Sequence, residues 1–100
     1  MRYKVVTVSE CAKLILDFLM KEWKRYIINV RQPNSKVIKI TTRMIEKEIR
    51  KRTGISISGG VIGSSLRVLE SLGYIKIISR HSYFSSRAGS RTRYIVEVRW

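Results

Sequence analysis

Residues 40–78 read ITTRMIEKEIRKRTGISISGGVIGSSLRVLESLGYIKII, and the order of elements in this stretch decides the fold. Thr41 or Thr42 can cap a helix through its side-chain oxygen. Ile45 and Ile49 then fall four apart, with Met44 beside them, as one apolar helical stripe. That helix closes on Arg50-Lys51-Arg52, cations suited to the negative end of the dipole, and stops at Gly54, suited to a left-handed cap. Ile55-Ser56-Ile57 connects it to another helix that begins near Ser58, turns Ile62, Leu66 and Leu69 inward, and stops at Gly73. Residues 74–78 and 94–98 are apolar and β-branched and read as strands. Between them, residues 79–93 are rich in serine, arginine and glycine and read as a long loop.

Upstream, residues 2–8 have the make-up of a strand, and Ser9 can cap a long first helix over 9–30. Cys11, Leu14, Ile15, Phe18, Leu19, Trp23, Tyr26, Ile27 and Val30 recur there at helical spacing. Leu16, Met20 and Ile28 widen the apolar arc beyond one stripe, so a second partner is expected, namely another copy of the chain in a homodimer. Residues 31–35 turn at Pro33, and 36–40 form a brief strand. The expected architecture is α+β and a single domain over 1–100: N-terminal strand 2–8, first helix 9–30, a helix–turn–helix over 41–73 and a hairpin over 74–99.

Lys and Arg number 21 against 7 Asp and Glu, a formal charge of +14 over 100 residues. Such an excess repels itself in the compact state and concentrates anions around the molecule. No stretch reaches the roughly 18 apolar residues of a spanning helix, so no membrane partner is expected. No signal-peptide plan follows Met1, and Cys11 is the only cysteine. An internal disulfide is therefore excluded, and a cytoplasmic setting is expected. His81, the only histidine, has no cysteine or carboxylate cluster near it in sequence, so no metal site is expected. No Ser-His-Asp set, carboxylate pair or phosphate-cradling Gly-Lys-Ser loop occurs. Neither an enzyme nor a cofactor or small-molecule substrate is indicated.

Ile40-Thr41, Ile45, Ile49, Gly54-Ile55-Ser56, Ile62, Leu66, Leu69 and Gly73-Tyr74-Ile75 resemble the helix–turn–helix and first wing strand of the winged-helix family. The likeness spans residues 9–98. The Ile- and Arg-rich make-up is similar to that of small DNA-binding proteins of archaea and their viruses. The resemblance implies three helices, a short strand and a C-terminal β-hairpin wing, and double-stranded DNA as partner. It also implies a transcription regulator or DNA-associated factor. In such proteins the third helix enters the major groove and the wing follows the backbone. The groove-facing positions would then be Ser58, Gly59, Gly63, Ser64 and Arg67.

This third helix departs from the family's habit. Arg67 is its one cation, balanced by Glu70, and the remainder of the exposed face is small. Small residues suit either close approach of the helix backbone to nucleic acid or tight packing of a neighbouring helix, and the sequence leaves both open. Cations flank it on both sides: Arg43, Lys47, Arg50, Lys51 and Arg52 before it, and Arg80, His81, Arg87, Arg91 and Arg93 after it. These are the expected phosphate contacts, with Arg80, His81, Arg87 and Arg91 candidates for either the backbone or the minor groove. Tyr83 and Phe84 are placed to stack on a base, to wedge a base step or to fold the loop back on the domain. Two other readings stand beside DNA binding. Residues 64–81 also resemble part of a basic small-subunit ribosomal protein of archaea and eukaryotes, which implies ribosomal RNA as partner. The glycine face alternatively suits a protein-interaction module in a transcription or replication assembly.

Overall fold

The computed structural model describes residues 6–28, 35–85 and 89–100, without the side chains of 84, 85, 89 and 90. Among these lie three α-helices and a three-stranded antiparallel sheet, an α+β arrangement. The order is α1 (Val8–Glu22), a 3-10 turn (Trp23–Tyr26), β1 (Val37–Thr41), α2 (Thr42–Thr53), α3 (Gly59–Ser71), β2 (Ile75–Ser85) and β3 (Gly89–Val98).

Local chemistry sets the helix ends. Thr41 caps α2 by accepting from the Met44 amide at 3.1 Å, and Ser58 caps α3 by accepting from the Val61 amide at 3.4 Å. Gly54 ends α2 at φ 74°, a left-handed value that a Cβ would strain. The start of α1 differs from expectation. Thr7, not Ser9, is the cap, and Val8 is already helical, so the expected strand over 2–8 has no place at 6–8. Residues 2–5 lie outside the described part.

The first helix is also shorter than its apolar spacing implied. It ends at Glu22, and Ile27 leaves the helical path to bridge Ile38, with the Ile28 amide donating to the Val37 carbonyl at 3.1 Å. Aromatic and β-branched residues crowd this segment and lose rotamer freedom in a helix. The open edge of β1 offers backbone partners in exchange. Residues 29–34, with the expected helix end and turn, are outside the described part.

The core lies between the sheet and the three helices. Ile15, Phe18 and Leu19 of α1, Ile45 and Ile49 of α2, and Ile62, Leu66 and Leu69 of α3 meet Ile38, Ile40, Tyr94, Val96 and Val98 of the sheet. Burying each large apolar side chain contributes roughly 1.5–3 kcal/mol. Ser65 is the buried polar residue among them. Its hydroxyl donates within α3 to the Val61 carbonyl at 2.6 Å and lies 3.2 Å from the Val8 carbonyl at the start of α1. Cys11 is fully buried, and desolvation pushes its thiol above the ordinary value.

Sheet order is β1-β3-β2. The expected long loop over 79–93 is instead a ribbon: β2 runs to Ser85 and β3 starts at Gly89. Ser82 and Thr92 share a hydroxyl hydrogen bond across it at 3.2 Å. Ile78 is a bulge. Ile75 and Ile77 pair with Val98 and Val96, whereas Ser79 and Arg80 pair with Ile95 and Tyr94. Ile75 and Ile77 therefore share the core face before the bulge, and Arg80 and Ser82 share it after the bulge.

Arg52 fastens α2 to α1. Its guanidinium reaches Glu22 at 3.2 Å and Glu48 at 3.9 Å and lies 5.1 Å over the Phe18 ring. Arg25 also bonds Glu22, and these partners hold that carboxyl below its ordinary 4.5, with Arg25 the larger cause. A depressed folded value gives stability that is present above 4.5 and lost as pH falls through the lower value. Thermal melts should thus show acid destabilisation below pH 4.5 that is weaker in Glu22→Gln than in the parent chain. An identical acid response in both would remove this role.

Candidate nucleic-acid interface

The exposed side of α3 begins with Gly59 and Gly60, where helix geometry leaves backbone amides without intrahelical acceptors. It continues through Gly63, Ser64 and Arg67. The β2 bulge brings Arg80 onto the same side of the ribbon as Tyr94 and Thr92. Together with Thr42 these residues line an open cleft of about 360 Å³. None of its lining residues is acidic. Two guanidiniums, several hydroxyls and the positive end of a helix converge on it, a donor set that fits an anion with several oxygens.

The cleft wall is held in place. Arg80 Nε donates to the Tyr94 hydroxyl at 3.4 Å, while Tyr94 itself is only 3% exposed. A Cβ on Gly63 would meet that hydroxyl at 3.1 Å. A side chain at Gly63 would therefore crowd the phenol of its own chain. Gly59 and Gly60 face open space.

Six of the residues singled out from sequence meet at this cleft or cap its helix: Gly59, Gly63, Ser64, Arg67 and, from the ribbon, Arg80 line it, and Ser58 caps α3. Thr42, Gly60, Thr92 and Tyr94 were missed. Reading 79–93 as a strand with alternating sides would have placed Thr92 and Tyr94 together, and Gly60 belongs to the glycine run already noted.

The remaining cations lie elsewhere. Arg43, Lys47 and Arg50 form a stripe on α2 around a shallow hollow of about 390 Å³ shared with Glu46, which approaches Arg50 at 3.9 Å. Lys51 is exposed beside them. Arg52 is the fastener described above and Arg50 approaches Glu46, so of the expected run of three cations Lys51 alone has no carboxylate partner among the described residues. His81, Arg91 and Arg93 sit on the opposite face of the ribbon from Arg80, because His81 pairs with Arg93 and Tyr83 with Arg91. Arg87 and the Phe84 side chain lie outside the described residues.

Glu70 does not balance Arg67. Its carboxylate accepts from the Ile77 amide at 2.6 Å, just before the bulge, and ties α3 to the edge strand β2. Asp17, Glu22, Glu46, Glu48 and Glu97 each pair with a lysine or arginine, and Glu10 lies in the first turn of α1. Among the described residues no group of three or more His, Cys, Asp or Glu is placed to hold a metal, and no helix is long and apolar enough to cross a membrane.

Comparison with protein-family models, curated proteins and solved structures gave no match to this chain.

Glu70→Ala removes a negative charge, which by Coulomb attraction alone would tighten binding to a polyanion. It also removes the tether that sets the ribbon against α3. Affinity for a labelled polyanion by fluorescence anisotropy should fall several-fold in Glu70→Ala, and Glu70→Gln, which keeps an acceptor, should bind at least as tightly as the parent. Tighter binding by both variants would show that only charge matters.

Proposed function

We propose that this chain is a winged-helix protein that binds double-stranded DNA, chiefly through phosphates and with little base readout. The arrangement of helix, strand, helix, helix and hairpin supports the winged-helix reading. The observation that carries the function is the acid-free cleft in which Arg67 and Arg80 converge beside the bare start of α3. A backbone phosphate seated there is gripped from the helix and from the ribbon at once. The α2 stripe of Arg43, Lys47 and Arg50 adds neighbouring phosphate contacts. Arg67 is the one side chain on α3 suited to a guanine, so sequence preference is weak.

The glycine face gives less support to a protein-interaction module, since Gly63 already serves an intramolecular contact with Tyr94. Ribosomal RNA as partner is decided by the same titration as DNA. With roughly six phosphates neutralised, log affinity for duplex DNA should fall against log salt with a slope of about −5. Arg67→Ala and Arg80→Ala should each reduce the steepness by about 1 and weaken all duplex sequences alike. A flat salt response, or tighter binding of A-form RNA duplex at equal salt, would overturn the DNA reading.

Homodimerisation through α1 belongs to the same proposal. Met20 and Ile28 are about half exposed, at 51% and 50%, on and just beyond a helix whose other side is in the core. A dimer would set two α3 helices about 34 Å apart, one turn of duplex. Light scattering should show a dimer for the parent chain and a monomer for Met20→Glu. A monomeric parent would end this part of the proposal.

A further inference from the structure

Beyond the bulge, the outer face of the ribbon is unlike the cleft side. His81 and Tyr83, two residues apart on β2, stand on it with ring planes 22° from parallel and centroids 6.3 Å apart. Both side chains are exposed, Tyr83 by 38%. Strand geometry sets this separation, since alternate residues repeat every ~6.6 Å. That is close to two steps of a nucleic-acid strand at about 3.4 Å each. Directly across the ribbon, Arg93 pairs with His81 and Arg91 with Tyr83. Lys39 extends the cations onto β1, opposite Ile95. The one acid on this face, Glu97, is held by Arg99 at 3.3 Å.

Two near-parallel exposed rings bordered by guanidiniums have no use for the outside of a duplex, whose bases are already stacked. They match what an unpaired strand offers, namely π faces at a regular repeat with phosphates alongside. We propose that the outer face of the β2–β3 ribbon is a second binding site, for a single strand of nucleic acid. Its unpaired bases stack on His81 and Tyr83, and its phosphates run past Arg91, Arg93 and Lys39. The inference does not depend on the duplex reading, because the cleft and the ring pair occupy opposite faces of the ribbon.

Stacking and charge are separated by comparing a short oligodeoxythymidylate with an abasic oligonucleotide of equal length, which keeps every phosphate and has no bases. The full-length chain should bind the thymidylate about tenfold more tightly than the abasic strand. Tyr83→Ala and His81→Ala should each shrink that preference, the double variant should abolish it, and Tyr83→Phe should retain it. Arg93→Ala should weaken both oligonucleotides together. The double variant Arg67→Ala/Arg80→Ala should lose duplex affinity and keep the base-dependent preference in full. Circular dichroism melts of each variant confirm folding, and all the substituted side chains are exposed on the ribbon or α3. Equal binding of thymidylate and abasic strand by the parent, or a preference that survives loss of both rings, would overturn the proposal. Loss of the preference on altering the cleft arginines would overturn it as well.

Discussion

Antiparallel strands alternate their side chains strictly, so one residue inserted into a strand reverses the sidedness of everything beyond it. Ile78 is that residue in β2. Were the register continuous, Arg80 would stand on the outer face with Lys76, and His81 and Tyr83 would turn toward α3. The cleft would then be walled by rings, and the ribbon's outer face would lose them. The bulge residue packs little of its own, being 51% exposed, so the core is hardly disturbed by its insertion. Glu70 takes the Ile77 amide beside it and keeps the re-aimed ribbon at one angle to α3.

Tyr94 joins this arrangement to the core. Its ring is buried opposite Ile40, and its hydroxyl meets both Gly63 and Arg80 at the surface. A phenol suits the position because its body is apolar and its tip needs a polar partner. Displacing it would disturb a core residue and one of the two cleft guanidiniums together. Ser65 does similar service on the other side of α3, where its hydroxyl lies between the Val61 and Val8 carbonyls. The proposed recognition helix is thus held near its middle, by the nearby Tyr94 hydroxyl on one side and the Ser65 hydroxyl on the other, while Ile62, Leu66 and Leu69 supply the burial.

Much of the fold could be read in the residues because turn and cap chemistry is local. Thr41, Gly54, Ser58 and Gly73 mark the bounds of α2 and α3 whatever surrounds them. The errors came where tertiary partners overrule local preference. Residues 23–28 keep a helical spacing, yet the vacant edge of β1 draws Ile27 and Ile28 out of the helix. Residues 79–93 have loop composition because the ribbon projects beyond the core and both of its faces are polar, so the alternation that betrays a strand is missing. The candidate site suffered most from this. A bulge leaves no mark in composition, so the division of Arg80 from His81, Arg91 and Arg93 was invisible. Likewise, nothing in the triplet Arg50-Lys51-Arg52 shows that its last member belongs to Glu22.

The charge imbalance has a structural logic of its own. With seven acids against twenty-one bases, each carboxylate matters for where it stands. Glu22 holds Arg52 between helices and Glu48 holds it within α2, while Glu97 meets Arg99 and Glu70 a backbone amide. None is left among the residues lining the cleft or beside the ring pair. Acids thus work as fasteners, and besides the α2 stripe, cations among the described residues gather on two surfaces of different character. One offers guanidiniums and hydroxyls, its Tyr94 ring being buried, which suits phosphates whose bases are hidden by pairing. The other offers rings bordered by cations, which gains only from bases that are not paired. If both proposed sites act in one molecule, the polymer that satisfies them together is one where a duplex gives way to a single strand. A uniform duplex would fill the cleft and leave the outer face of the ribbon empty.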